Sequence, residues 1–273
     1  MNFDSFKHKW NVISGHTLED KASEKTLFVK YGAEPITQRQ LNLYYYFIFI
    51  SELLKDDKIR DVLEVGCGRG TMSLYLRDYL SKNVSLLDNV QEAIDLARDE
   101  FSTKGQSANF FVGDALDMQQ FTNNSFDATI SIGLAEHVDN VEKLFSEQYR
   151  VLRPGGIMIS LNIPKKFSIQ FLNIIWRSIK KMIGTYKKKV RSDYYRNKLQ
   201  AKDYQKIARK VGFQNVNVMY VCPFPLFSPL DIFWDKKVTK IFKFILKIRK
   251  IFQGYPYKTS ALIGQAHFLV GSK

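Results

Sequence analysis

The stretch DVLEVGCGRG, residues 61 to 70, constrains this chain more than any other. A short apolar run leads into Gly66, Gly68 and Gly70 at two-residue intervals. Such a pattern describes a buried strand that ends in a turn. The backbone of that turn can approach a ligand closely, because glycine has no Cβ. The spacing removes two ligand classes. A dinucleotide fingerprint places its third glycine five residues after its first, and a phosphate-binding loop continues into Gly-Lys-Ser/Thr; neither occurs here. Glu64, just before the turn, would repel a pyrophosphate and suits a ligand that carries positive charge.

After this turn, apolar runs and turn signals alternate as strand, helix, strand. RDVLEV, VSLLD, ANFFVG, FDATISI, GIMISLNI, NVNVMYV and GQAHFLVGS read as seven strands. Helices are expected over residues 71 to 80, NVQEAIDLARDEF, VEKLFSEQYRVL and AKDYQKIARKVGF, with a further helix over 38 to 55. This order predicts an α/β fold: a doubly wound, mostly parallel seven-stranded sheet. Ligands of such sheets bind beyond the carboxyl ends of the strands, where the strand order reverses. The chain reads as one domain over 1 to 273. It has an N-terminal helical segment over 1 to 58, a core over 59 to 163, and insertions over 165 to 200 and 224 to 258.

The motifs of the core resemble a known family. VLEVGCGRG is similar to motif I of the class I S-adenosylmethionine-dependent methyltransferases, and LLDNVQEAIDLAR resembles their second-strand acidic motif. VGDALDM, FDATISIGLAEHV and VLRPGGIMI resemble the segments around the next three strands. The fourth-strand text resembles that of small-molecule and lipid-related methyltransferases, including those of quinone biosynthesis and the cyclopropane fatty-acid synthases. The resemblance implies S-adenosylmethionine as cofactor and a Rossmann-like fold. It places Gly66, Cys67, Gly68 and Gly70 against the methionine portion and Glu64 near its ammonium. Asp88 would accept from the ribose hydroxyls, with Asn89 beside it. Asp114 would accept from the adenine amino group, with Ala115 offering backbone contacts, and Ser131 completes the set.

The segment after the fourth strand constrains the acceptor. The Asn/Asp-Pro-Pro-aromatic motif of enzymes that methylate base amines or glutamine is replaced by SIGLAEHV. That favours oxygen, and less strongly carbon, of a small or lipidic molecule. Glu136 and His137 are the candidate catalytic residues, with His137 as the base for an acceptor hydroxyl. The competing reading has both side chains simply starting the next helix and holding the cofactor loop. Relatives with a divalent metal carry Glu-x-x-Glu-His here; Gly133 stands at the first position, so no metal is expected. Tyr31, Tyr44, Tyr45, Tyr46, Tyr255 and Tyr257 are either acceptor-pocket lining or packing.

The net charge of +14 is concentrated in the two insertions. Between Lys165 and Lys198 there are eleven Lys/Arg against one Asp, and between Leu230 and Lys258 eight against two acids. Each carries an amphipathic pattern. The first has Phe171, Ile175, Ile179 and Met182 followed by lysines 187 to 189. The second has Trp234, Val238, Ile241, Ile245, Ile248 and Phe252 opposite Lys236, Lys240, Lys243, Lys247 and Lys250. Both insertions are expected to form a lid over the cofactor side. They present either a membrane-surface face at 165 to 200 and 231 to 252 or an apolar stripe packed inward with lysines in water. The expected partner is a hydrophobic or anionic small-molecule or lipid acceptor. RNA is the competing partner, disfavoured because nucleic acid needs no continuous apolar stripe. The N-terminal MNFDSFKHKW lacks the apolar core of a signal peptide. The run LNLYYYFIFISELL is 14 residues, short of the ~20 of a membrane span. Cys67 and Cys222 make no zinc spacing. The expected location is cytoplasmic, with peripheral contact at the inner membrane face.

Overall fold

The computed structural model describes residues 27–30, 32–163, 175, 178–179, 181–182, 195–221, 231–253, 258–261, 264 and 266–273. Seven strands form one sheet: β1 (Asp61–Val65), β2 (Asn83–Asp88), β3 (Asn109–Val112), β4 (Phe126–Ile132), β5 (Leu152–Asn162), β6 (Gln214–Val221) and β7 (Ala266–Ser272). Among the described residues, the helices with full bounds are α1 (Gln38–Leu53), α2 (Thr71–Leu80), α3 (Gln91–Thr103), α4 (Val141–Val151), α5 (Ala201–Val211) and α6 (Ile232–Gln253).

The strand order is β3-β2-β1-β4-β5-β7-β6. β1 pairs in parallel with β2 and β4, β2 with β3, and β4 with β5. β7 runs antiparallel to both β5 and β6, inserted between them. The order reverses at β1 and β4, so their carboxyl ends open the crevice that such sheets use for ligands. β1 and β4 have buried interiors, as strands covered on both faces must.

Two apolar layers enclose the sheet. On one face α1, α2 and α3 contribute Phe47, Ile50, Tyr75, Leu76, Ile94 and Phe101. On the other, α4 and α5 contribute Leu144, Phe145, Tyr204 and Ala208. The tyrosines of α1 belong to this packing. Tyr46 lies edge-on to Phe268, and Tyr44 is edge-on to Tyr75. Neither lines the central cavity, nor does Tyr45, which packs toward α6. Tyr31, Tyr255 and Tyr257 lie outside the described residues, as do residues 1 to 26, Phe171 and lysines 187 to 189.

The helix starts follow local chemistry. Thr37 caps α1 in a reciprocal box with Gln40: the Gln40 N–H donates to Thr37 Oγ1 at 3.2 Å, and the Thr37 N–H donates to Gln40 Oε1 at 3.3 Å. Asn140 caps α4 by accepting from the Lys143 N–H at 3.0 Å.

α6 does not take the inward-packed arrangement. It contributes no side chain to the cavity lining and docks instead along α1. Leu246 packs on Leu41 with Phe242 and Tyr45 around them. Asp235 Oδ1 accepts from the Gln38 backbone N–H and from Gln38 Nε2, each at 3.0 Å. Lys243 pairs with Glu34. The predicted apolar stripe is not the packed side: Trp234, Ile241, Ile245, Ile248 and Phe252 are all exposed. Of the first insertion's stripe, Ile175, Ile179 and Met182 are exposed as well.

Candidate active site

A cavity of about 240 Å³ opens at the carboxyl ends of β1, β2 and β4. Its lining includes Glu64, Gly66, Cys67, Gly68, Asp88 and Asn89, and, further round, Asp114, Ala115 and His137. The sequence pattern therefore brings most of its candidate residues to one place. Much of the remaining wall is apolar, with Leu27, Leu43, Met72, Leu116, Leu134 and Val138.

The glycine turn is fixed by backbone geometry. Gly66, Gly68 and Gly70 have φ values of +69°, +53° and +67°, a region costly for residues with a Cβ. Gly66 and Cys67 both donate their N–H to the Leu87 carbonyl, at 2.8 and 3.0 Å, tying the turn to β2. The Gly68 N–H donates to Asp88 Oδ2 at 2.9 Å. Asp88 Oδ1 accepts from the Val90 N–H at 3.1 Å, which fixes the carboxylate at the strand end. A Cβ on Gly66 would meet the Leu134 side chain at 2.9 Å, in the cavity wall.

Two assignments change. Gly70 does not line the cavity; it is the N-cap of α2, and a Cβ there would lie 2.4 Å from Leu86 Cδ2. Its glycine is needed for helix–sheet packing. Ser131 also lies outside the lining. It is fully buried, and its Oγ donates to Ser160 Oγ at 3.1 Å, inside the β4–β5 pair.

Glu64 is buried at the end of β1. Its Oε2 accepts from the Ser73 hydroxyl at 2.5 Å and the Ser73 N–H at 2.9 Å. Burial raises its pKa to about 7 against the pull of those two hydrogen bonds, and Asp88 adds to the rise. A carboxylate held this way gains from a cation beside it. Burial, then Asp88 and Glu64, push the Cys67 thiol well up, so it is an apolar wall and not a nucleophile. Asp114 sits exposed at the rim, its Oδ1 accepting from the Leu116 N–H at 2.9 Å.

Glu136 and His137 form a single 3₁₀ turn, Ala135–His137, separate from α4. They part in role. His137 lines the cavity, and its Nδ1 meets the Tyr195 carbonyl at 2.6 Å. A carbonyl only accepts, so Nδ1 carries the proton and Nε2 is the basic nitrogen of the neutral ring. Glu136 does not line the cavity. Its Oε1 accepts from the Ile163 N–H at 3.3 Å, and its own carbonyl accepts from the Asn197 N–H at 2.8 Å. Its Oε2 is buried with no hydrogen-bond partner among the described residues, and burial raises its pKa to about 7. These contacts tie the turn after β4 to the end of β5 and to Asn197.

Sequence reasoning missed Ser73, Leu134 and the Tyr195 carbonyl. Ser73 had a signal, as it stands nine residues after Glu64 in the first turn of the helix that follows the glycines. Tyr195 is 58 residues from His137 and had none.

These residues fit S-adenosylmethionine. The turn accepts close approach, Asp88 presents a fixed carboxylate, and Glu64 favours a nearby ammonium. The family described as Methyltransferase domain matches residues 63–160. This segment is a class I S-adenosylmethionine-dependent methyltransferase domain. The methyltransferase domain is 34% identical over 108 residues to a demethylmenaquinone methyltransferase of Leptospira interrogans, covering 38% of this chain and 43% of that one. It is 38% identical over 156 residues to a sterol 24-C-methyltransferase of Pneumocystis carinii, covering 56% and 40%. The chain thus spans less than half the length of these two curated relatives. A solved methyltransferase of Haloferax volcanii, in complex with its activator, shares the fold at a TM-score of 0.58 and 16% identity, over 98% of this chain and 96% of that one. Phosphoethanolamine N-methyltransferase 2 of Haemonchus contortus, solved with S-adenosyl-L-methionine, has a TM-score of 0.54 at 19% identity, covering 84% and 52%.

Proposed function

We propose that the chain is an enzyme that uses S-adenosylmethionine to methylate an oxygen of a hydrophobic, membrane-associated small molecule. The observation that carries the reading is His137. It lines an otherwise largely apolar cavity with its proton fixed on Nδ1 by the Tyr195 carbonyl. When bound, the cofactor supplies an electrophilic methyl group. The chain's own contribution is to hold the acceptor in line, exclude water with Leu134 and Val138, and take the hydroxyl proton on His137 Nε2. Asp88 and Glu64 hold the polar ends of the cofactor. A fatty-acid O-methyltransferase of Mycolicibacterium smegmatis, 28% identical over 54% of this chain and 56% of its own, supports an oxygen of a lipid-like acceptor.

Transfer to carbon is the second reading. It is favoured by the carbon specificity in the name of the Pneumocystis relative.

The deciding experiment uses cofactor labelled on its methyl group, a cell extract, and fractionation into organic, aqueous and RNA pools, with Gly68→Arg as the inactive control. Label in the organic pool, reduced about 10²–10⁴-fold by His137→Gln with cofactor binding retained, supports the reading. Label in RNA would replace it with an RNA-directed activity. Organic label that is indifferent to His137→Gln would point to carbon.

A further inference from the structure

The structure divides α6 into three sectors rather than two faces. Asp235, Thr239, Phe242 and Leu246 turn toward α1; Thr239 and Leu246 are buried there, and Thr239 Oγ1 donates to the Asp235 carbonyl at 2.7 Å. A second sector carries Lys236, Lys240, Lys247 and Lys250, all exposed. The third carries Trp234, Ile241, Phe244, Ile248 and Phe252, exposed at 52%, 57%, 64%, 38% and 82%. Docking on α1 uses a different side from the long apolar stripe, so that stripe stays in solvent.

An exposed apolar strip on a 22-residue helix is costly in water, because apolar area loses about 25 cal/mol per Å² when left hydrated. We infer that α6 lies in the plane of an anionic lipid surface, its apolar sector in the acyl boundary and its lysine sector against the headgroups. Charge complementarity selects this occupant. The helix carries seven Lys/Arg and one acid. That acid, Asp235, is used in docking on Gln38, so the exposed sectors contain cations and no anion. Lys237 lies among the aromatics, its Nζ 4.3 Å from the Phe233 ring centre and 4.9 Å from that of Trp234. A lysine set there can extend its ammonium toward headgroups while its stem stays apolar. No described helix is long and apolar enough to cross a membrane, so the helix rests on the surface. α1, on which it docks, also supplies Leu43 to the cavity wall, which sets the lipid contact one helix away from the acceptor. The inference deepens the reading of the acceptor as membrane-associated, and rests on it.

The test is flotation of the whole chain with phosphatidylcholine vesicles, pure or mixed equally with phosphatidylglycerol. Two variants are compared: Lys236→Gln/Lys240→Gln/Lys247→Gln/Lys250→Gln and Phe244→Glu/Ile248→Glu. All six side chains are exposed, so cofactor binding, measured in parallel, stays at the wild-type value. Binding to anionic vesicles only is expected, weakened about fivefold per lysine and lost in the double Glu variant. In a Trp10→Phe/Trp176→Phe background, Trp234 emission shifts to the blue on binding. Vesicle binding that ignores lipid charge or survives the double Glu variant overturns the inference. So does a dimer dispersed by that variant in a protein that does not float. Failure of docking leaves transfer to a detergent-solubilised acceptor intact. Docking that persists with no label in the organic pool instead removes the acceptor reading.

Discussion

α4 and α6 are both amphipathic, yet they use their apolar faces in opposite ways. α4 turns Val141, Leu144, Phe145 and Val151 into the core beneath the sheet, all nearly inaccessible. α6 turns a comparable stripe to solvent and packs through Leu246 and Phe242. The difference is one of available surface. α4 meets a broad sheet face, which can cover a whole stripe, whereas α6 meets one side of α1, which covers a narrow strip. Amphipathic periodicity therefore reports that an apolar face exists, and only the neighbour decides whether it is buried.

The sharpest way to break this comparison is truncation of matched side chains. Phe145→Ala in α4 should cost about 3–5 kcal/mol in urea unfolding. A loss below about 1 kcal/mol would mean that α4 is not core.

The two regions also differ in buried charge, since Glu64 in the cavity and Glu136 beside it are held out of water whereas Lys236, Lys240, Lys247 and Lys250 of α6 stay in it. Both acids have folded pKa values raised to about 7 from 4.5. Their favourable contribution is complete below pH 4.5 and is lost as pH rises through about 7, because the native state then holds protons that the unfolded chain has released. Stability should fall across that window by roughly 3 kcal/mol per group at most. Glu136→Gln should flatten the slope, and an unchanged slope would remove Glu136 as its source. Cofactor affinity should rise over the same window as Glu64 ionises, which calorimetry in buffers of different ionisation enthalpy would detect as proton release.

Asp235→Ala removes both acceptor contacts to Gln38 and should cost about 1.5–3 kcal/mol locally. Faster amide exchange in α6, with α4 unchanged, is the expected signature. The smallest effect belongs to Phe244→Ala, which should change folding stability by no more than ~0.5 kcal/mol. A large loss there would mean that the stripe is covered after all.

Much of the fold could be read from the sequence, for reasons visible in particular elements. Glycines and apolar periodicity bracket α2 at Thr71–Leu80 and β4 at Phe126–Ile132, and the expected bounds coincide with the observed ones. That Asp88 lines the cavity was legible, because an acid at the end of the second strand lies beside the first turn by construction. Gly70 and Ser131, placed by motif among the cofactor contacts, lie outside the cavity lining. Motif position tells which loop a residue occupies but not which way a side chain or a missing Cβ faces. His137 could be named from sequence, whereas the carbonyl that sets its tautomer could not.

By itself, the sequence determined the alternating order of elements, the glycine turn, the acids beside it and the concentration of charge in two insertions. These are local properties, set by periodicity, turn propensity and composition within a few residues. Tertiary structure decided the rest: the insertion of β7 between β5 and β6, the separation of Glu136 from His137, and the choice of which side of α6 meets α1. Each depends on contacts between residues far apart in the chain, such as Gln38 with Asp235, and on a competition for buried surface that no local pattern encodes.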